Sequence, residues 1–128
     1  MLTVTGFLLV ASMALQPQYA HADSIKPSFP IHEEATTTEA LIARYASEFD
    51  VSATQMAQTI HCESRGNSNA VGDHGTSYGI AQIHLPAHPS ISKSQALDKE
   101  WSIRWMAEQF SLKRQSMWTC WRNLYQTE

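Results

Sequence analysis

The sequence predicts a mostly α fold that is interrupted by one irregular loop region. Apolar residues recur at helical intervals from Leu41 to Phe49 and again from Trp101 to Phe110. Between them, residues 66–92 contain four glycines and two prolines and keep no helical period, which favours a structured loop with short strands or a single helical turn. A chain of 128 residues is expected to form one compact domain.

Four helices are expected from the capping and periodicity signals. Thr36 and Glu39 have the spacing of a capping box at the start of the first helix, and Ser52 and Gln55 have the same spacing at the start of the second. Asp98 is expected to cap the third helix. The expected ranges are about 37–49, 53–64, 98–114 and 118–124.

The first 22 residues are predicted to be a signal peptide. The apolar run Leu2–Leu15 is too short to span a bilayer as a helix, and it leads to the small-x-small site Ala20–Ala22. The alternative is an N-terminal helix or an uncleaved anchor, because no Lys or Arg precedes the run. Residues 23–36 are expected to form an extended or mobile leader to the domain at 37–128.

Composition and predicted export limit the partners and the compartment. Twelve acidic and nine basic residues give a formal net charge of −3, which argues against a nucleic-acid partner. We expect an exported monomer in the periplasm or the extracellular cell envelope, with no membrane contact after signal cleavage. There, Cys62 and Cys120 could pair, closing a loop of about 57 residues, or remain two buried thiols.

Glu63 is the first candidate catalytic residue. It continues an apolar helical stripe that includes Met56 and Ile60, so its carboxyl is expected to be partly desolvated, with a raised pKa. A carboxylic acid that keeps its proton near neutral pH suits general acid catalysis of glycosidic bond cleavage. The alternative is an exposed glutamate at a helix end, with Arg65 nearby.

A second carboxylate and a metal site are the next two possibilities. Asp73 is the nearest second carboxylate, although its flanking glycines favour a turn role. Pro86 separates His84 from His88 and breaks the helix that would align them, and no HExxH motif is present. We therefore expect no metal site. The other residues considered as ligands are His61, Cys62, Asp73 and His74.

The four tryptophans divide into two pairs. Trp101 and Trp105 lie at helical spacing and are expected to belong to the core. Trp118 and Trp121 flank Cys120, and the sequence leaves open whether they are core residues or a platform for stacking sugar rings.

Two ordered motifs lie in the segment 61–83, which reads HCESRGNSNAVGDHGTSYGIAQI. The first is Glu63-Ser64 at a helix end, followed by NSNAV at 67–71, which is similar to an N-P-x-A turn. The second is GTSYGIAQI at 75–83. With these motifs the segment resembles the catalytic domain of soluble lytic transglycosylases in the lysozyme superfamily.

The resemblance implies a lysozyme-like domain whose active site lies in the irregular loop region, and a substrate of peptidoglycan glycan strands. Glu63 would be the only acid/base. It would protonate the oxygen of the β-1,4 bond between N-acetylmuramic acid and N-acetylglucosamine, with assistance from the N-acetyl group. It would then deprotonate the C6 hydroxyl, which closes a 1,6-anhydro ring. This chemistry needs no cofactor.

The resemblance also implies roles for the neighbours of Glu63. Ser77 and Gln82 would position the sugar and its N-acetyl group, Tyr78 would line the groove, and Ser64 would orient the helix end. The family's tyrosine-containing helix motif, whose tyrosine contacts the catalytic glutamate, has no counterpart here. Trp118 or Trp121 could form the far wall of the groove if a Cys62–Cys120 bridge ties their segment to the catalytic helix. The alternatives are a hydrolysing muramidase of the same fold and a non-catalytic wall-binding domain.

Overall fold

The computed structural model describes residues 36–126, and the predicted signal peptide and nearly all of the predicted leader lie outside this range. Over the described range the chain forms five α-helices and one three-stranded sheet, which confirms the mostly α fold. The helices are α1 (Thr38–Glu48), α2 (Ala53–Ser64), α3 (Lys93–Leu97), α4 (Lys99–Ser111) and α5 (Thr119–Tyr125). The strands are β1 (Val71–Gly72), β2 (Ser77–Tyr78) and β3 (Ile83–His84).

In both α1 and α2 the N-cap side chain accepts a hydrogen bond from a backbone N–H three residues later. The predicted Thr36–Glu39 capping box is wrong by one residue, because Thr37 holds the extended N-cap conformation and its Oγ1 accepts from the N–H of Ala40 at 3.2 Å. Ser52 caps α2 as predicted, since its Oγ accepts from the N–H of Gln55 at 3.2 Å.

Helix α2 ends at Ser64, as predicted, because the next two residues turn to the left-handed region. Arg65 has φ 55° and donates its backbone N–H to the carbonyl of His61, and Gly66 follows at φ 79°. This stop places Glu63 in the last turn of α2, beside the irregular segment.

The segment 66–92 contains a short antiparallel meander with strand order β1-β2-β3. Val71 pairs with Tyr78, and Tyr78 also pairs with Ile83. A 3-10 turn at Leu85–Ala87 follows β3. The prediction of short strands within an ordered loop is confirmed.

The sequence prediction missed α3 and placed the end of α4 too late. Ser92 and Gln95 form a complete capping box at the start of α3. Asp98 caps α4 as predicted, with Oδ1 accepting from the N–H of Trp101 at 2.7 Å. Helix α4 ends at Ser111 instead of about 114, because Lys113 turns to φ 59° and the chain leaves the helical path.

Four of the five helices, α1 to α4, contribute buried residues to one core. Helix α1 packs on α2 and α4, and α5 packs on α2. The fully buried side chains include Leu41, Met56, Ile60, Ile80, Ile103 and Met106. None of the helices between residues 36 and 126 is long and apolar enough to cross a membrane.

Candidate active site

Glu63 lies half-buried at the end of α2, with its carboxyl directed at the start of α5. Its Oε1 accepts a hydrogen bond from the backbone N–H of Cys120 at 3.1 Å. Burial raises the pKa of the Glu63 carboxyl above its usual value; the Cys120 N–H opposes this shift, the nearby Asp73 carboxylate adds to it, and Arg122 opposes it. The predicted desolvation and raised pKa are confirmed.

The carboxyl of Glu63 opens into a cavity of about 330 Å³, called the Glu63 cavity below. Its walls come from the end of α2, the meander, the segment after β3, α4 and the start of α5. The lining residues are Glu63, Asp73, Ser77, Gln82, Ile83, His84, Ala87, His88, Trp105, Met117, Trp118 and Thr119. Of the site residues suggested by the sequence, the structure brings together Glu63, Ser77, Gln82 and Trp118 here.

Asp73, Ser77 and His84 form a polar cluster in the lining of the Glu63 cavity. The Ser77 side chain is only 1% exposed, and its Oγ donates to Oδ2 of Asp73. The same Oγ lies 3.2 Å from Nδ1 of His84, which is 3.9 Å from Oδ2 of Asp73. Asp73 does occupy a turn, with φ 49°, but this turn also directs its carboxylate into the cavity. The turn role and a role in the site are therefore compatible.

Gln82 reaches the cavity through an unusual backbone conformation. Its φ is 47°, and its side-chain Nε2 donates to the carbonyl of Gly79 at 2.9 Å. The amide oxygen lies over Gly72, where a Cβ atom would come within 2.2 Å of it. Glycine at position 72 thus leaves the space that the Gln82 amide occupies.

Ser64 and Tyr78 do not line the Glu63 cavity. The Ser64 hydroxyl donates to the carbonyl of Ile80 at 2.7 Å and thereby ties the end of α2 to the loop after β2. The Tyr78 hydroxyl donates to the carbonyl of Gly75, and the ammonium of Lys93 lies 4.6 Å from the centre of its ring. Ser64 can orient the helix end next to Glu63, whereas the assignment of Tyr78 to the groove stays a prediction.

Two of the four tryptophans, Trp118 and Trp105, both pack in or against the core and line the Glu63 cavity. Trp118 is 4% exposed and belongs to the core, and it also lines the Glu63 cavity. Trp121 lies outside the cavity lining, with its Nε1 donating to Oε1 of Gln55 at 3.3 Å. Trp101 and Trp105 pack against the core as predicted, stacked 6.4 Å apart. Sequence reasoning missed that Trp105 also lines the cavity, because its helical spacing is that of any core residue.

Cys62 and Cys120 form a disulfide, with their Cα atoms 5.8 Å apart. The structure thus decides between the two alternatives that the sequence left open. The bridge joins the residue before Glu63 to the residue whose N–H contacts the Glu63 carboxyl.

His84 and His88 both line the Glu63 cavity. Burial, and to a lesser degree the neighbouring His84, lower the pKa of His88, which therefore favours the neutral ring. Within residues 36–126, no group of three or more His, Cys, Asp or Glu side chains is placed to hold a metal ion.

A larger and mainly apolar cavity of about 720 Å³ lies between α1 and α2. It includes Ile42, Ala57, Ile60 and Leu124 in its lining, with Glu39 and Arg65 also contributing. The half-buried carboxyl with its N–H donor and the Asp73–Ser77–His84 cluster belong to the smaller cavity, where acid catalysis on a bound polar substrate is chemically possible.

Comparisons with protein-family models, with curated proteins and with solved structures found no match to this chain.

Proposed function

We propose that this protein is a peptidoglycan lytic transglycosylase that cleaves the β-1,4 bond between N-acetylmuramic acid and N-acetylglucosamine. The observation that carries the proposal is the half-buried carboxyl of Glu63, which opens into the Glu63 cavity and has a raised pKa. The two motifs around it in the sequence supply the substrate class.

The first step in the proposed reaction is proton donation. Glu63 protonates the glycosidic oxygen as the bond from that oxygen to C1 of the muramic acid breaks. The N-acetyl oxygen of the same sugar assists at C1, which replaces a nucleophilic carboxylate. A raised pKa favours this step, because it keeps the proton on Glu63 at a pH where an exposed glutamate has lost it.

The second step returns the proton to Glu63. Its carboxylate takes the proton of the C6 hydroxyl, and O6 attacks C1 as the N-acetyl oxygen leaves C1, which closes the 1,6-anhydro ring. In this ionised state Oε1 accepts the Cys120 N–H, a charge-assisted hydrogen bond that stabilises the carboxylate. One side chain can thus act first as acid and then as base.

The other cavity residues supply binding groups in this proposal. The Gln82 amide and the Asp73–Ser77–His84 cluster offer donors and acceptors to the hydroxyl and N-acetyl groups of a sugar. Trp105, which lines the same cavity, offers apolar ring surface. The disulfide supports an exported enzyme, because such bridges persist in oxidising compartments.

The test is replacement of Glu63. The Glu63→Gln variant keeps the size of the side chain and an acceptor for the Cys120 N–H, but it cannot deliver a proton. We expect its rate of peptidoglycan cleavage to fall by at least about 100-fold. A variant that cleaves at the normal rate would remove Glu63 from the mechanism.

A hydrolysing muramidase is the second candidate, and one specific observation favours it. The Asp73 carboxylate lines the same cavity as Glu63 and is close enough to raise the pKa of Glu63. A carboxylate in that position could direct a water molecule to C1. Hydrolysis predicts reducing ends in the products and a large loss of rate in Asp73→Asn, whereas the transglycosylase predicts anhydro ends.

A further inference from the structure

A disulfide joins the residue before Glu63 to the residue whose backbone N–H donates to the Glu63 carboxyl. Cys62 immediately precedes Glu63 in α2, and its disulfide partner is Cys120. The backbone N–H of Cys120 donates to Oε1 of Glu63 at 3.1 Å. The disulfide therefore holds the backbone next to Glu63 close to the N–H that its carboxyl accepts.

We propose that the Cys62–Cys120 disulfide is a positioning device for the Glu63 carboxyl, so that reduction of the bridge weakens catalysis while the domain stays folded. This inference rests on the proposed function, because it assigns the bridge a role in the acid/base work of Glu63. Cys62 and Cys120 are positioning residues in this account. The proton is moved by Glu63 alone.

Two side-chain hydrogen bonds between α5 and α2 lie further from the carboxyl. The Trp121 indole donates to Gln55, and the Tyr125 hydroxyl donates to Gln58. Both acceptors lie more than one helical turn before Glu63 in α2, and each contact is a single hydrogen bond between side chains. The disulfide, in contrast, is covalent and lies in the same turn of α2 as Glu63.

The domain can keep its fold without the bridge because Trp118 anchors the same segment independently. Its ring is buried, and its Nε1–H donates to the carbonyl of Ala81 at 2.7 Å. This anchor fixes the chain at Trp118, two residues before Cys120, but makes no bond to the Cys120 N–H itself. Loss of the bridge is therefore expected to free the Cys120 N–H first.

The polar and charged groups around Glu63 determine how a displacement of α5 changes the pKa of its carboxyl. Both groups that favour the ionised carboxyl, the Cys120 N–H and Arg122, belong to α5. Asp73, which disfavours ionisation, lies in the turn between β1 and β2, and His84 and His88 line the cavity from β3 and the segment after it. Displacement of α5 about the Trp118 anchor thus removes stabilisation of the carboxylate, while the Asp73 charge and the Trp118 wall that helps to bury Glu63 stay in place.

The bridge is accessible to a reductant, because Cys62 is exposed at the surface of α2. A dithiol such as dithiothreitol would transfer two electrons and two protons to the bridge, giving two cysteine thiols and its own cyclic disulfide. The acid/base strength of the site would then depend on the redox state of the surroundings.

The test is a titration of the Glu63 carboxyl that needs no turnover. The full chain, labelled with ¹³C at glutamate carboxyl carbons, is titrated by NMR in the oxidised form, after dithiothreitol treatment, and as the Cys62→Ser/Cys120→Ser variant. Glu63→Gln assigns the signal. We expect the pKa of Glu63 to rise in both bridge-free forms, and re-oxidation of the treated protein to restore it.

Kinetics on peptidoglycan give the second readout. Without the bridge, kcat should fall roughly 10- to 100-fold through misplacement of the acid, with the alkaline limb of its pH profile moved to higher pH. Ile103→Ala is the matched control, since removal of this buried side chain of α4 lowers stability by an amount comparable to loss of the bridge and leaves the bridge intact. Its Glu63 pKa and its pH profile should equal those of the wild type.

The outcomes separate the two proposals. A folded bridge-free protein with an unchanged Glu63 pKa would overturn the positioning role, whatever the activity. A bridge-free protein that stays unfolded even with sucrose as a stabiliser would also overturn it, because the bridge would then act on folding alone. A wild type that cleaves no peptidoglycan, but whose Glu63 pKa responds to the bridge, would overturn the proposed enzyme activity and leave the coupling established.

Discussion

The indole Nε1–H of Trp118 donates to the backbone carbonyl of Ala81 at 2.7 Å, across 37 residues of sequence. Both residues are buried, so this bond satisfies a donor and an acceptor that have little access to water. It joins the segment before α5 to the loop that carries Gln82, and hence fixes two walls of the Glu63 cavity relative to each other. A tryptophan that the sequence left between core and platform is a structural link between those walls.

The Trp118→Phe variant should lose about 1–3 kcal/mol of unfolding free energy, because the Ala81 carbonyl is left buried without its donor. Denaturant unfolding monitored by circular dichroism measures the loss. Trp121→Phe is the matched control, since its indole donates to a side-chain amide at a half-buried position. The control should lose less than about 1 kcal/mol. Equal losses in the two variants would contradict the structural role of the Trp118 bond.

The Gly79→Ala variant should be destabilised by at least about 3 kcal/mol. Gly79 has φ 78°, and a Cβ atom there would lie 1.7 Å from the backbone oxygen of Ala96, so α3 would have to move. Gly66→Ala is a close control, because Gly66 has φ 79° but no atom within 4 Å of the added Cβ. It should lose only about 1–2 kcal/mol from backbone strain. Thermal unfolding of both variants would reveal the difference, and similar losses would show that close packing on α3 is unimportant.

The raised pKa of Glu63 predicts how stability depends on pH. Burial, the largest cause, favours the protonated carboxyl in the folded state, so ionisation of Glu63 destabilises the fold as the pH rises from the usual value of 4.5 through the raised value. Glu63→Gln cannot ionise and should therefore be more stable than the wild type at neutral pH, with the gain disappearing below the usual value. Denaturant midpoints at pH 3.5 and pH 7.5 measure this change.

Glu39→Gln provides a control of opposite sign. The Glu39 carboxylate is exposed in the first turn of α1, where a negative charge favours the helix, so its removal should cost a few tenths of a kcal/mol at neutral pH. A Glu63→Gln variant that is destabilised at neutral pH like this control would contradict the desolvation of Glu63.

Removal of the disulfide should lower stability as well as change the site. The bridge spans 58 positions in sequence, and a loop of that length is worth about 4 kcal/mol in the chain-entropy model. Cys62→Ser/Cys120→Ser should therefore unfold at a clearly lower denaturant concentration than the oxidised wild type. Dithiothreitol should lower the wild-type midpoint to the same value. A midpoint that responds to neither change would show that the bridge does not constrain the unfolded chain.

Most of the helices and the half-buried carboxyl of Glu63 could be predicted because their signals are local. Apolar periodicity and the Ser52 and Asp98 caps located α2 and α4, and the stripe that ends at Glu63 predicted its desolvation. Helix α3 was missed because five residues give too short a period to recognise, although the Ser92–Gln95 capping box was present in the sequence.

The contents of the cavity could not be read from the sequence because they depend on contacts between distant residues. Asp73 has the sequence of a turn residue, and only the path of the meander shows that its carboxylate enters the cavity. Trp105 has the spacing of a core residue, and its second role depends on where α4 meets the meander. The Cys120 N–H leaves no trace in the sequence, since every residue except proline has this donor.

Mass spectrometry of the products is the most direct test of the proposed function. Purified peptidoglycan is digested with the oxidised protein and, in parallel, with Glu63→Gln. We predict muropeptides that end in 1,6-anhydro-N-acetylmuramic acid and are lighter by one water than hydrolysis products, with at least about 100-fold less product from the variant. Products with reducing ends would instead identify a hydrolysing muramidase, and equal product from the two proteins would contradict the role of Glu63.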